Sequence, residues 1–257
     1  MEVIRSIENK KIKQFSSLKQ SKYRNKYKKF IIEEKHLIYE AYNKNLIDTL
    51  IVLEGKEPIV DVNTIFVSEN VMRKLQTNTS LNDYLAICNN VDLKIINYKR
   101  IVVLENVQIP GNVGTIIRTA YSFGYDGVIL LDGCCDIYNP KTIQASQGAI
   151  FHIPVVYSNL DETVSILRKN DCKLIATSLK NASNLAKTVM LDKYAVLFGN
   201  EGNGLSERAI ESSDISVKIE MDNFESLNVA SAAAICLYYF RNYKNWLTED
   251  FEGLSKI

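Results

Sequence analysis

The chain has 257 residues, 46% of them apolar and 24% charged, the balance of an ordinary globular protein of one or two domains. It contains no run of eighteen apolar residues, and Met1–Lys10 is charged where a signal peptide is apolar, so we expect a cytoplasmic protein without a membrane segment. Five cysteines without framework spacing and two isolated histidines argue against a disulfide scaffold and against a bound metal.

The net charge of +1 hides an asymmetry along the chain. Residues 1–30 hold ten lysines and arginines against two glutamates, a net charge of +8, which leaves −7 for the other 227 residues. Such a basic segment suggests a polyanionic partner, although a solvated helix face would carry the same charges. Tyr23, Tyr27 and Phe30 are interleaved with the basic residues and would either stack on bases or form the buried stripe of a helix.

The predicted elements of residues 1–97 form a small α/β domain. Helical patterns cover residues 29–44 and 69–76, and strand patterns cover residues 48–53, 65–67 and 92–96. The polar stretch 76–82 is expected to be a loop inside this domain. We place the boundary to the second domain at residues 97–98.

Predicted strands and helices alternate from residue 98 to residue 257, which is typical of a parallel sheet covered by helices. The strands are expected at residues 101–104, 127–131, 153–156, 173–177, 194–198 and 217–219. The helices are expected at residues 113–123, 141–147, 162–170, 207–212 and 226–243. Asn112 and Ser206 are expected to cap the helices that follow them. The last helix is apolar nearly all round, which favours burial in the core or in an oligomer contact.

Three loops follow strands of the predicted sheet, the position at which open α/β sheets bind ligands. In the first loop, residues 105–118, Pro110 and Gly111 precede Asn112 at the helix start. Arg118 lies six residues further on and is expected close to the face of Asn112. A helix N-terminus beside an arginine suits a phosphate or another anion, although a surface or ion-pairing arginine is the simpler explanation.

The second loop, Gly199–Leu205, holds three glycines and would bring backbone close to a ligand, unless it is only a tight structural turn. Its order G-x-x-G-x-G is neither the dinucleotide fingerprint nor a P-loop, and Glu201 would repel phosphates. A ligand with positive charge is better tolerated there. The third loop, from Ile219 onward, brings Ser226 and Asn228 to the start of an alanine-rich helix.

Together the three loops resemble the motifs of the SpoU/TrmH family of RNA ribose 2′-O-methyltransferases, within the SPOUT superfamily, over roughly residues 98–245. The matching residues, motif by motif, are Pro110, Asn112, Gly114 and Arg118; then Gly199, Glu201, Gly204 and Leu205; then Ile219, Met221, Ser226, Leu227, Asn228 and Val229. The N-terminal half is similar to the family's ribosomal-protein-like substrate-binding domain. Two positions depart from the family: Glu220 replaces a usual proline, and Glu34 replaces a usual glycine.

The resemblance implies a trefoil-knotted α/β methyltransferase domain at residues 98–257, a homodimer, and S-adenosylmethionine as the cofactor. The implied catalytic residues are Arg118, Asn112, Glu201, Ser226 and Asn228. The implied cofactor-binding residues are Gly199, Glu201, Gly204, Ile219, Met221, Leu227 and Asn228. Of the two roles proposed for Arg118 in the family, base and phosphate clamp, we favour the clamp, because arginine gives up its proton only at very high pH.

The implied reaction is 2′-O-methylation of RNA ribose, with 23S ribosomal RNA favoured over transfer RNA because the N-terminal domain resembles a ribosomal protein. Lys22, Arg24, Lys26 and Lys28 are expected to bind the RNA backbone. Two other classes stay open. An inactive RNA-binding or ribosome-assembly factor is disfavoured by the intact motif residues. A nicotinamide-dependent oxidoreductase is suggested by the glycines alone.

Overall fold

A computed structural model describes residues 2–179, 182–188, 191–223 and 226–252, with backbone alone for residues 242–252. The chain divides into two compact units. One comprises residues 1–92 together with 136–151, and the other comprises residues 93–135 and 152–257. The chain therefore passes from one unit to the other near residue 92 and again at both ends of the segment 136–151. The domain boundary at residues 97–98 stays a prediction.

The N-terminal unit is built on a mixed five-stranded sheet. Its elements are β1 (Val3–Ile4), α1 (Lys10–Ser17), α2 (Ser21–Tyr27), β2 (Lys29–Ile32), α3 (Lys35–Asn43), β3 (Ile47–Leu53), β4 (Thr64–Val67), α4 (Glu69–Leu75) and β5 (Tyr84–Asn89). The strand order is β1-β4-β3-β5-β2, and β5 runs antiparallel to both of its neighbours. Apolar residues of α1 and α4 pack with β3, β4 and β5 in one buried cluster.

Two predicted elements of this unit are wrong. Residues 29–32 form a strand and not the start of a helix, because three successive buried residues, Phe30, Ile31 and Ile32, pair with β5. Residues 92–96 were predicted to form a strand and form none. The last strand of this unit is β5, which lies earlier in the chain. Glu34 precedes α3 with a φ of −101°, so the turn needs no glycine at this position.

The rest of the chain contributes β6 (Arg100–Leu104), α5 (Pro110–Ser122), β7 (Gly127–Leu130), α6 (Pro140–Ser146), β8 (Val155–Tyr157), α7 (Leu160–Lys169), β9 (Lys173–Thr177), β10 (Ser183–Asn184), β11 (Tyr194–Phe198), α8 (Glu207–Glu211), β12 (Ile215–Lys218) and α9 (Val229–Glu252). All of these except α6 belong to the C-terminal unit. Seven parallel strands form its sheet in the order β10-β12-β9-β11-β6-β7-β8. The predicted α/β class with a parallel sheet is confirmed.

The two central strands of this sheet, β6 and β11, are buried along nearly their whole length. They pair in register from Arg100 with Tyr194 to Leu104 with Phe198, so the loops that follow them leave the sheet side by side. This adjacency brings the first and second motif loops together. Within the described ranges, no helix is long and apolar enough to cross a membrane.

The segment 136–151 packs as part of the N-terminal unit. The ring of Phe30 stacks on Tyr138 with centroids 4.6 Å apart and on Phe151 at 6.1 Å. The backbone N–H of Val91 donates to the Tyr138 hydroxyl at 2.8 Å. These contacts close the side of the unit that includes β2.

Candidate functional site

A cavity of about 350 Å³ lies in the C-terminal unit at the carboxyl ends of β9 and β11. Its walls come from Thr177–Leu179 after β9, from Gly199–Leu205 after β11, from the segment after β12, and from the inner side of α9. Six of the seven residues predicted to bind cofactor line it, namely Gly199, Glu201, Gly204, Ile219, Met221 and Leu227; Asn228 does not line it. Sequence reasoning missed two parts of the lining because neither lies in a recognisable motif: the segment 177–179 after β9, and the side chains of Ala232 and Cys236 on α9.

The glycine loop folds back on itself directly after β11. A Cβ atom at Gly199 would lie under 3.0 Å from the backbone of Gly204 and Leu205, so only glycine fits there. Asn200 and Gly204 exchange both of their backbone hydrogen bonds at 3.0 Å, and Gly204 has a φ of +70°. The glycines therefore serve a tight reversal whose backbone forms one wall of the cavity.

Asn200 holds this reversal together and is a positioning residue that the motif comparison did not single out. Its side-chain oxygen accepts from the backbone N–H groups of Gly202 at 2.9 Å and Asn203 at 3.0 Å. Its amide nitrogen donates to the backbone oxygen of Asn106, in the loop after β6, at 2.9 Å. An asparagine ahead of a turn is the available sequence signal, since its side chain commonly bonds the backbone two residues on.

Glu201 joins the second motif to the first. One carboxylate oxygen accepts from the Asn112 side-chain amide at 2.9 Å and from the Ile109 backbone N–H at 3.2 Å, and the other accepts from the Gln108 N–H at 3.5 Å. Partial burial raises the pKa of Glu201, but these hydrogen bonds outweigh burial and hold the pKa below its ordinary value. A carboxylate beside the N-terminus of α5 is also favoured by the helix dipole.

Asn112 does not cap α5, contrary to expectation. The helix begins at Pro110, and Ile109 occupies the capping position without a side-chain hydrogen bond. Asn112 lies in the first turn, 8% exposed, and its two amide atoms bond outward to Glu201 and Asn228. Glu201 takes the place of the missing cap by accepting from the Ile109 N–H. Ser206 does cap α8 as expected, accepting from the Ala209 N–H.

Asn228 joins the third motif to the other two. Its amide nitrogen donates to the Asn112 side-chain oxygen at 3.1 Å, and its own oxygen accepts from the Ala230 N–H at 2.9 Å and the Ser231 N–H at 3.3 Å. Asn228 thus caps α9, which begins at Val229 and not at Ser226 as expected. Ser226 and Leu227 are exposed beside the cavity. The three motifs meet through one chain of side-chain hydrogen bonds.

Arg118 stands apart from this chain of hydrogen bonds. Asn112 is buried and Arg118 is exposed, so the expectation that they share a face of α5 is wrong. Six residues advance a helix by about 600°, which leaves the two side chains roughly 120° apart. Within the described part of the chain, Arg118 makes no hydrogen bond or ion pair, so its guanidinium is available to a substrate.

The basic residues at the start of the chain divide into two groups. Arg24 is 3% exposed and bonds Asp136 at 2.6 Å and the carbonyl oxygens of Leu18 and Lys19, each at 2.8 Å, so its assignment to the RNA backbone is wrong. Others of the ten are held by carboxylates or carbonyls, namely Arg5, Lys13, Lys19 and Lys29. The exposed lysines whose side chains make no hydrogen bond or ion pair to the described residues are Lys10, Lys11, Lys22, Lys26 and Lys28.

The position and the lining of the cavity indicate the kind of ligand that it holds. Ligands of parallel α/β sheets bind at the carboxyl ends of the strands, as this cavity does. Lys218 is the one cationic residue among the described residues of its lining, and Glu201 contributes a negative charge. The site therefore suits a small ligand without phosphates, such as a nucleoside that carries positive charge.

The chain belongs to the SpoU rRNA methylase family, whose model matches residues 99–238. A second model, the MRM3-like substrate binding domain, matches residues 9–86. The resemblance inferred from the motifs is confirmed.

Relatives extend this match over the full chain. The 23S rRNA (guanosine(2553)-2′-O)-methyltransferase RlmP of Bacillus subtilis is 33% identical over 247 residues, covering 94% of this chain and 100% of the relative. A crystal structure of AdoMet-bound rRNA methyltransferase from Sinorhizobium meliloti superposes with a TM-score of 0.84 at 24% identity, covering 95% of this chain and 98% of that one. The AdoMet complex of the SpoU methyltransferase AviRb from Streptomyces viridochromogenes gives 0.82 at 23% identity, covering 92% and 98%. These two structures establish the fold.

Proposed function

We propose that this protein is an S-adenosylmethionine-dependent RNA 2′-O-ribose methyltransferase that acts on 23S ribosomal RNA. The observation that carries the proposal is the meeting of the three family motifs, through Asn112, Glu201 and Asn228, beside a single cavity. The Bacillus subtilis relative, which matches along nearly the whole chain, carries this activity in its name. The guanosine named there is the first nucleotide to examine.

The cavity fits the cofactor by its chemistry. Its wall is backbone at the glycine reversal, and Leu179, Leu205 and Leu227 are among the lining side chains, which suits an adenosine. Glu201 tolerates a cation, and the near absence of cationic lining disfavours the phosphates of a nicotinamide dinucleotide. Gly199, Gly204, Ile219, Met221 and Leu227 would hold S-adenosylmethionine, which when bound supplies an electrophilic sulfonium methyl group.

The side chains of this protein then orient the RNA and keep the loops in place. Arg118, exposed and unpaired within the described chain, would clamp a phosphate next to the reactive ribose through its planar fork. Asn112 and Asn228 would fix the start of α5 against the start of α9. Glu201, whose hydrogen bonds hold its pKa below the ordinary value, would hold the second motif against the first as a carboxylate.

The protein is further proposed to be a homodimer with the family's trefoil knot, working in the cytoplasm. Support for the dimer comes from exposed apolar side chains on or next to α5 and α9, which pack against each other: Ile109, Tyr121, Ile235 and Tyr238. An exposed apolar face of this kind is typical of a protein contact. Light scattering of the full protein should give twice the chain mass, and Ile235→Asp should shift it toward one chain mass. A single-chain mass for the unaltered protein would exclude the dimer.

The activity is tested with purified protein, labelled S-adenosylmethionine, and ribosomal RNA from a strain that lacks the gene. We expect labelled 23S rRNA, with one ribose methylation that is missing in that strain. Label in transfer RNA instead would favour the transfer-RNA alternative. Binding of RNA without binding of S-adenosylmethionine would identify an inactive assembly factor and overturn the proposal.

A further inference from the structure

The helix α3 of the N-terminal unit has two distinct faces. Leu37, Ile38 and Ala41 are buried against the unit's core. The opposite face is exposed and consists of Lys35, His36, Tyr39, Tyr42 and Asn43. Tyr39 is 44% exposed and Tyr42 is 37% exposed, and their spacing of three residues makes them neighbours on this face.

The rings of Tyr39 and Tyr42 are free. Within the described part of the chain, neither side chain makes a ring contact or a hydrogen bond. The aromatic residues of the basic segment differ in this respect. Tyr23 and Tyr27 stack on each other at 6.3 Å and lie under Lys22 and Lys26, and Phe30 is fully buried. Within the described part of the N-terminal unit, the aromatic surface that is open to a ligand is therefore on α3.

The chemistry of this face matches single-stranded RNA. Unpaired bases stack on exposed aromatic rings, and asparagine and histidine side chains can hydrogen-bond base edges. Lys35 contributes a cation and lies over the ring of Tyr84 at 5.0 Å. Two carboxylates adjoin this face: Glu34 lies 3.4 Å from the imidazole of His36, and Glu40, half-buried beside Gly148, is four residues on from His36. The open rings, and not a net positive charge, are therefore what this face offers to a strand whose bases are unstacked.

We propose that the exposed face of α3 is an RNA-contacting surface, on which unpaired bases of the substrate stack against Tyr39 and Tyr42. The proposal rests on the proposed function, since it takes the substrate to be RNA. It adds a role distinct from that of the exposed lysines of α2. Those lysines contact phosphates regardless of base pairing, whereas α3 selects RNA whose bases are unpaired.

The test compares the full-length protein with the double variant Tyr39→Ala/Tyr42→Ala. Binding is measured by fluorescence anisotropy to a short single-stranded oligoadenylate and to an RNA duplex of the same length. Each lost stacking contact should weaken oligoadenylate binding roughly five- to a hundredfold. Duplex binding should change less than twofold. The slope of log affinity against log salt should stay unchanged, because no phosphate contact is removed.

Two controls make the test specific. Tyr39→Phe/Tyr42→Phe should bind oligoadenylate like the unaltered protein, because stacking uses the ring face and not the hydroxyl. Ile7→Ala removes an apolar side chain of similar exposure, 39%, from the same unit and should have no effect. Circular dichroism and denaturant unfolding check that the N-terminal unit of each variant is folded.

Equal binding of oligoadenylate by the double alanine variant and the unaltered protein would overturn the proposal, as would an equal loss for both RNAs. A protein that binds neither RNA nor S-adenosylmethionine before any substitution would instead overturn the proposed function. The two failures are therefore distinguishable.

Discussion

The two units of this protein present their functional side chains in opposite ways. In the C-terminal unit, Asn112, Glu201 and Asn228 bond to one another around a cavity, and each has a fixed partner. In the N-terminal unit, the candidate contacts on α2 and α3 are exposed side chains that make no hydrogen bond or ion pair within the described chain, apart from His36, which lies near Glu34.

The difference follows from the kind of ligand each unit is proposed to hold. A small cofactor is enclosed, so its site needs one fixed backbone geometry and tolerates little change. A long polyanion is held by many weak contacts that act almost independently. Substitutions should therefore act sharply in the cavity and gradually on the exposed surface.

The sharpest expected effect is that of Gly199→Ala. The added Cβ would lie under 3.0 Å from the backbone of Gly204 and Leu205, and backbone cannot yield as a side chain can. We expect S-adenosylmethionine binding to fall below detection by calorimetry. Gly202→Ala is the matched folding control, since its nearest contact, the Asn200 side chain, would be 3.6 Å away. Normal affinity in Gly199→Ala would contradict a fixed reversal.

Arg24→Ala tests the difference between buried and exposed basic side chains within the basic segment itself. Because Arg24 and Asp136 form a nearly buried pair, we expect a loss of about 3–5 kcal/mol in the free energy of unfolding. Lys26→Ala, on the exposed side of the same helix, should change it by less than about 0.5 kcal/mol. Denaturant unfolding measures both. Unchanged stability in Arg24→Ala, together with lost RNA affinity, would return Arg24 to the RNA surface.

Arg118→Ala should lower kcat by about 10²–10³-fold, the usual cost of removing one charge-stabilising donor. Affinity for S-adenosylmethionine should be unchanged, because Arg118 does not line the cavity. Arg118→Lys should also fail, since an ammonium group does not reproduce the planar fork. Parallel loss of cofactor affinity and activity would show that Arg118 belongs to the cofactor side.

Substitution of Lys22, Lys26 and Lys28 by glutamine should produce a graded effect. On single-stranded RNA each lost phosphate contact lowers the salt slope by about 0.7, so three contacts lower it by roughly 2. Filter binding at several salt concentrations measures the slope. A slope equal to that of the unaltered protein would mean that these lysines are only solvated.

The smallest expected effect is the pH dependence of the stability that Glu201 contributes to the fold. Its pKa is below the ordinary value of 4.5, so its hydrogen bonds stabilise the fold fully above that pH and are lost as pH falls through the lowered pKa. Glu201→Gln should lower Tm by about 2–4 °C at pH 7. The difference between the two proteins should shrink as the pH falls below 4.5. A difference in Tm that persists in acid would mean that the charge of Glu201 does not contribute to stability.

The parallel sheet and its site were largely predictable from sequence because the relevant signals are local. Strands buried on both faces are continuous apolar runs, such as residues 101–104 and 194–198, and each motif lies in the loop directly after its strand or before its helix. The expected cap at Asn112 was wrong, because the start of α5 is held by Glu201, 89 residues further along the chain. That Asn112 and Arg118 lie on different sides of α5 follows from helix geometry alone.

The N-terminal unit was less predictable. Short apolar runs such as residues 29–32 fit a buried strand or a helix equally well, and only pairing with β5 decides between them. Arg24 looked like its lysine neighbours. Its burial depends on Asp136, a partner 112 residues away in the sequence, and no local pattern reports such a contact.

That contact has a consequence for the synthesis of the chain. The ribosome delivers residues 1–92 first, but Asp136, Tyr138 and Phe151, which complete this unit, follow only after β6, α5 and β7. At 5–20 residues per second the wait for residues 93–151 is about 3–12 s. Until then Arg24 lacks its carboxylate, and β6 lacks β11 on one side. We expect the N-terminal unit to finish folding only after β6, α5 and β7 of the C-terminal unit have been made, and the C-terminal unit to finish later still, once β11 and α9 follow.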